Sequence, residues 1–190
     1  MKKTICTAAA LTLAVCLCAC SKSEEPSMYI KPCEFSKETT EILDLFDAEL
    51  RFFDLSLDDT VKSTAITVWI YQNGEWVDYG GTYGNADHQT ARIGIQLNES
   101  EYELYSIDED GHTKYTLPFG EDIFAGSLSV SSTPIAEQTP IELNKEIPIW
   151  VKIGTNNSAV RVTDTGEDFR TADCSAGVAI IFTARDTAVE

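Results

Sequence analysis

The chain has 190 residues, 31 of them acidic against 14 basic, for a formal net charge of −17. A surface this acidic repels nucleic acid and anionic lipid headgroups, which excludes both as partners of the folded body; it attracts cationic peptides, cationic proteins and metal ions. The length suits a single globular domain once the ends are set aside.

Met1-Lys2-Lys3 is followed by a largely apolar run over residues 5–17, the basic start and short apolar middle of an export signal. A spanning helix needs about 20 apolar residues, so this run is too short to remain in a bilayer. It ends in Leu17-Cys18-Ala19-Cys20, and Ser21-Lys22-Ser23-Glu24-Glu25 follows. The tetrapeptide resembles the bacterial lipobox, in which an apolar residue and a small residue precede an invariant cysteine. The resemblance implies cleavage before Cys20, a diacylglycerol on its thiol and a membrane anchor outside the cytoplasm. Each buried CH2 of the acyl chains contributes about 0.8 kcal/mol to anchoring. The chain then divides into a signal peptide (1–19), a lipidated cysteine with its tether (20–32) and a folded domain (33–190). Cleavage removes Lys2 and Lys3 and no acid, which leaves the mature chain at −19.

Ser36 is placed to cap a helix that runs through Thr39 to about Phe46 or Leu50, with Glu38 and Glu41 in its first turns, where the helix dipole favours acid. Ile42, Phe46, Leu50 and Phe53 give it an apolar stripe. After Arg51 the period changes to two, through Phe53, Leu55 and Leu57, which predicts a passage into strand. Strands are then expected over 63–71, 75–79, 89–97, 102–107, 113–117, 127–133, 147–153, 159–163 and 177–184. Many short strands with closely spaced turns and one helix predict a mainly β fold, a single antiparallel β-sandwich, with a closed barrel as the alternative.

Asn73-Gly74 is the signature of a two-residue type I′ hairpin turn. Such a loop pairs Gln72 with Glu75, Tyr71 with Trp76, Ile70 with Val77, Trp69 with Asp78 and Val68 with Tyr79. Val68, Ile70, Val77 and Tyr79 then share one face, the natural core. Trp69, Tyr71 and Trp76 share the other. If open to solvent, that aromatic face would stack on sugar rings or on a protein partner; if covered, the N-terminal helix is the expected cover, with Trp76 the more accessible tryptophan. The stretch from Gly80 to His88, which contains Tyr83, is read as a glycine-rich loop of the kind that carries binding sites on a rigid sheet.

Two acidic turns, Asp108-Glu109-Asp110-Gly111 and Asp164-Thr165-Gly166-Glu167-Asp168, offer oxygen atoms to calcium, but neither has the full 12-residue calcium-loop pattern. Solvated turns are the expected reading. His88 and His112 are the only histidines, and no zinc-like ligand spacing occurs. Neither a metal site nor a cofactor is expected, and no nucleophile with its base stands out. Once the signal is removed and Cys20 is lipidated, Cys33 and Cys174 remain. They either form a disulfide between the two ends of the fold or stay as separate buried thiols.

Two segments, Tyr29-Ile30-Lys31-Pro32-Cys33-Glu34-Phe35-Ser36 and the stretch from Glu142 to Gly154, are similar to small uncharacterised lipoproteins of anaerobic gut bacteria. That likeness implies a recurrent domain and no mechanism. The sequence therefore leads to the expectation of a non-catalytic binding or adhesion module, held on a membrane and meeting a protein or polysaccharide through Trp69, Tyr71, Trp76 and Tyr83. The alternatives are a structural or assembly lipoprotein of the envelope and, less favoured, an envelope hydrolase.

Overall fold

The computed structural model describes residues 27–45, 49–98, 100–158 and 168–190. The expected strand at 159–163, nearly all of the second acidic turn, and Cys20 with its signal lie outside them. The described strands form two sheets. The first contains β1 (Tyr29–Pro32), β2 (Glu49–Ser56), β5 (Thr90–Leu97), β6 (Glu101–Asp108), β7 (Gly111–Pro118) and the two-residue β9 (Thr139–Pro140). The second contains β3 (Ser63–Gln72), β4 (Glu75–Asn85), β8 (Ser129–Pro134), β10 (Glu146–Thr155) and β11 (Ala176–Arg185). Their orders are β7-β6-β5-β2-β1-β9 and β4-β3-β11-β10-β8, and every pairing is antiparallel. Two open sheets packed face to face make this a sandwich rather than a barrel.

Alternation explains the packing. Phe53 and Leu55 of β2, Ile93 and Ile95 of β5 and Leu104 of β6 meet Ile66, Val68 and Ile70 of β3 and Val178, Ile180 and Phe182 of β11 in one buried cluster. Strand β10 changes phase to serve this core. A bulge between Pro148 and Trp150 admits one extra residue, so Ile147, Ile149 and Trp150 all enter the inner core while Val151 and Ile153 turn outward. The central strand β11 is buried on both faces. Its Ala179 and Ile181 join Val151, Ile153 and Phe169 in a second cluster on the outer side of the sheet. A sheet covered on both sides reads as a continuous apolar run, which is why 176–184 shows little alternation.

Three expectations need correction. The helix α1 (Lys37–Leu43) is shorter than expected and buries no residue; Ser36 does cap it, its Oγ accepting from the Thr39 amide at 3.3 Å. Leu50 and Phe53 belong to β2, where Phe53 gains a place between the sheets that a helix could not give it. The expected tether also ends early, because β1 pairs with β2 and β9. The sandwich thus begins at Tyr29, before Cys33. Finally, β4 does not stop at Tyr79. It continues to Asn85, so most of the expected glycine-rich loop is an edge strand.

Candidate binding cleft between two edge strands

The hairpin turn forms as its residues require, with Asn73 at φ 55° and Gly74 at φ 90°, the positive values that a type I′ turn needs. Gln72↔Glu75, Tyr71↔Trp76, Ile70↔Val77 and Trp69↔Asp78 pair as expected, but Val68 pairs with Gly80 because Tyr79 is bulged out.

The aromatic face is covered, though not by α1. A 3-10 turn, Phe169–Thr171, caps it. The Phe169 ring meets Trp76 edge-on, with centroids 4.9 Å apart and planes at 87°, and reaches Trp69 at 6.2 Å. Tyr71 packs on Trp76 at 5.6 Å. The Arg170 guanidinium lies 4.2 Å from the Trp69 ring centre, within cation–π range. Trp76, expected to be the accessible tryptophan, has its indole nitrogen buried and without a partner among the described residues. Trp69, Tyr71 and Trp76 are thereby half-buried against a third packing layer. Sequence reasoning missed Phe169 because its partners lie about a hundred residues away.

Tyr83 is separated from that cluster. It is 48% exposed, near the far end of β4, and Arg185 stands 5.4 Å over its ring. Here the structure brings together two features that the sequence presents separately, the stretch from Gly80 to His88 and the acidic turn after β6. They flank a cleft of about 350 Å³ between the edge strands β4 and β7. Elsewhere along the same two edges Tyr79 bridges β4 to the end of β7, its hydroxyl donating to the Pro118 carbonyl at 3.3 Å and its ring 6.0 Å from Phe119. In the lining of the cleft His88 Nε2 and Asp110 Oδ2 are 3.1 Å apart. The floor is apolar, with Leu55, Ile66, Leu104 and Phe182; Thr82, Asn85, Ser106 and Thr113 supply polar groups.

The acidic turn is held by its own backbone, with the Asp110 and Gly111 amides donating to Asp108 Oδ1 at 2.9 and 3.1 Å. Gly111 sits at φ 143°, a conformation that a side chain would strain. Asp87, Asp108 and Asp110 all border the cleft, and no lysine or arginine does among the described residues. Among those residues no group of three or more His, Cys, Asp or Glu is placed to hold a metal ion.

The two cysteines do not pair; both are free thiols. Cys33 donates to Asp54 Oδ1 at 3.1 Å, and Arg92 Nε donates to the same oxygen at 2.8 Å. Cys174 packs with the outer cluster of the other sheet, so the thickness of the sandwich separates the thiols. Burial, then the bond to Asp54, pushes the Cys33 thiol up to about 12. Burial and Asp173 push Cys174 up to about 11. A reactive cysteine needs the opposite shift.

A protein-family model described as the YgaN domain matches residues 29–175. No curated protein and no solved structure matches the chain. The match begins at the first residue of β1 and ends at the residue before β11. It covers well over half of the sequence, and the chain therefore belongs to the YgaN domain family.

Proposed function

We propose that the protein is a non-catalytic binding module, exported and tethered to a membrane through lipid on Cys20, that takes its ligand in the cleft between β4 and β7. The observation that carries this reading is the cleft itself. An apolar floor with a few convergent polar groups, at about 350 Å³, falls within the range of binding pockets. It lies between edge strands, where an extended chain or a glycan has access along the sheet. The anchor is supported by the basic start, the short apolar run and Leu17-Cys18-Ala19-Cys20.

Gly84 provides the test of the site. It lines the cleft, and a Cβ built on it meets nothing within 4 Å. Gly84→Trp should fill the cleft while leaving the fold intact. Immobilised glycans and phage-displayed peptides are screened with both proteins. Ligands retained by the wild type and lost by the variant support the site, and equal retention of every ligand refutes it. The anchor is tested separately by metabolic lipid labelling, which Cys20→Ala should abolish.

A further inference from the structure

We propose that the occupant of the cleft is an extended basic peptide segment of a protein partner, added to the free edge of β4 as a further strand. This rests on the reading of the cleft as a binding site and names what fills it.

The first observation is the edge. β4 is the outermost strand of its sheet, with no neighbour on its far side among the described residues. Exposed edges are ordinarily guarded by lysine, proline or a bulge. The facing edge, β7, follows that rule with Lys114 and Pro118. β4 carries neither lysine nor proline, and its bulge lies at Tyr79, outside the lining of the cleft. Beyond the bulge the ladder from Gly81↔Thr67 to Asn85↔Ser63 is regular. Gly81 and Gly84 carry no side chains to obstruct approach. Such an edge is a template for strand addition, in which main-chain hydrogen bonds supply affinity and pockets for alternate side chains supply specificity.

The second observation is the alignment of edge and cleft. Thr82 and Gly84 face the space between the sheets and line it. Side chains alternate along a strand. A strand laid beside β4 therefore sends every second side chain toward the mouth of the cleft, whose lining includes Ile66, Leu104 and Phe182, which favours apolar residues at those positions.

The third is charge. Asp87, Asp108 and Asp110 line the cleft, which no lysine or arginine lines among the described residues; Asp110 is bonded to His88, and Arg185 and Lys62 stand nearby, over Tyr83 and beside Asp87. The chain as a whole carries −17. A lysine or arginine on the incoming strand meets carboxylates at close range and is steered toward them from afar. A neutral glycan gains hydrogen bonds but no charge attraction from these carboxylates, and it does not continue the β4 ladder.

The test uses the full-length protein and fluorescein-labelled peptides of about eight residues, the usual scale of a strand. One alternates valine and lysine, a second alternates valine and glutamate, and a third is the lysine peptide with alternate amides N-methylated. By fluorescence anisotropy the lysine peptide should bind and weaken on the order of tenfold between about 0.05 and 0.5 M salt. The glutamate and N-methylated peptides should bind at least about tenfold more weakly, because each lacks one of the two recognition elements. Gly84→Trp and the double variant Asp87→Asn with Asp110→Asn should each weaken the lysine peptide. Equal binding of the N-methylated peptide overturns strand addition, and equal binding of the glutamate peptide overturns charge recognition. If no peptide binds while glycans or other ligands are still lost on Gly84→Trp, this proposal falls and the cleft stands. If Gly84→Trp changes nothing at all, both fall.

Discussion

Trp76 lies across Gly177 so closely that a Cβ on the glycine would stand 2.4 Å from the indole Cη2. The indole is held from above by Phe169 and from the side by Tyr71, so it cannot yield without opening the outer layer. Gly177→Ala should therefore destabilise by about 1–3 kcal/mol, the usual cost of overpacking. Urea unfolding measures it, and an unchanged midpoint would show that the indole is free to move.

The same layer sets the behaviour of the tryptophans. Phe169 is fully buried and touches both Trp69 and Trp76. Phe169→Ala should cost about 3–5 kcal/mol, as for other buried aromatics cut to alanine. It should also shift tryptophan emission to the red and raise acrylamide quenching. Quenching as strong in the wild type as in the variant would mean that the aromatic face is open after all.

Much of this architecture is legible in the sequence because it is local. The Asn73-Gly74 turn sets four cross-strand pairs, period-two alternation marks β2 and the hairpin, and short apolar runs bounded by turns mark most of the other described strands. What stays hidden is long-range. Nothing near Trp69 or Trp76 indicates that Phe169 will cover them, and nothing near Gly80 indicates that β4 continues past the Tyr79 bulge. β1 reads as tether because four residues ending in Pro32 carry almost no periodic signal; its strand character comes from pairing with β2 and β9. The candidate site is legible only in halves, as a glycine-rich stretch and an acidic turn that the fold brings together at His88 and Asp110.

The thiols should behave as two separate, sluggish groups. Intact mass after alkylation of unfolded, unreduced protein should show Cys33 and Cys174 both modified. In the folded state both should react slowly at pH 8, since each keeps its proton well above the ordinary value of 9.0. The sign follows from proton binding. Between pH 9 and the raised folded values the native state holds more protons than the unfolded state, so this contribution to stability is complete below pH 9 and declines as pH rises through that window. Asp54→Asn removes an acceptor and a negative charge that raise the Cys33 thiol, and should speed its alkylation at pH 9.

On the acid side, Asp54 acts in the opposite direction. Burial alone would raise its pKa, but bonds from Arg92 and Cys33 together with the Arg92 and Lys31 charges outweigh burial and hold the carboxyl below its ordinary 3.8. Its stabilising effect is thus present above 3.8 and lost as pH falls through the folded value. Asp54 is partly exposed, so solvent screening limits the effect to about 1 kcal/mol or less. Wild type and Asp54→Asn should differ by that amount at neutral pH and converge as acid protonates the Asp54 carboxyl, where both side chains are neutral. A difference that persists undiminished in acid would assign the effect to packing.

Two glycines in β4 should give opposite results although they stand only three positions apart. A Cβ on Gly81 would stand 2.1 Å from the Ile66 carbonyl oxygen and 2.8 Å from Thr67 Cα. These are backbone atoms of the paired strand and cannot swing away. Gly81→Ala must push β4 off β3, breaking ladder hydrogen bonds and the strand that walls the cleft, and a loss of more than about 3 kcal/mol is expected. Gly84 is in open space with no left-handed backbone requirement. Alanine there removes unfolded-state freedom without strain and should be neutral or stabilise by about 0.4–1 kcal/mol. Thermal unfolding of the two variants side by side checks the geometry. If Gly84→Ala unfolded as early as Gly81→Ala, the open edge on which the cleft depends would not exist.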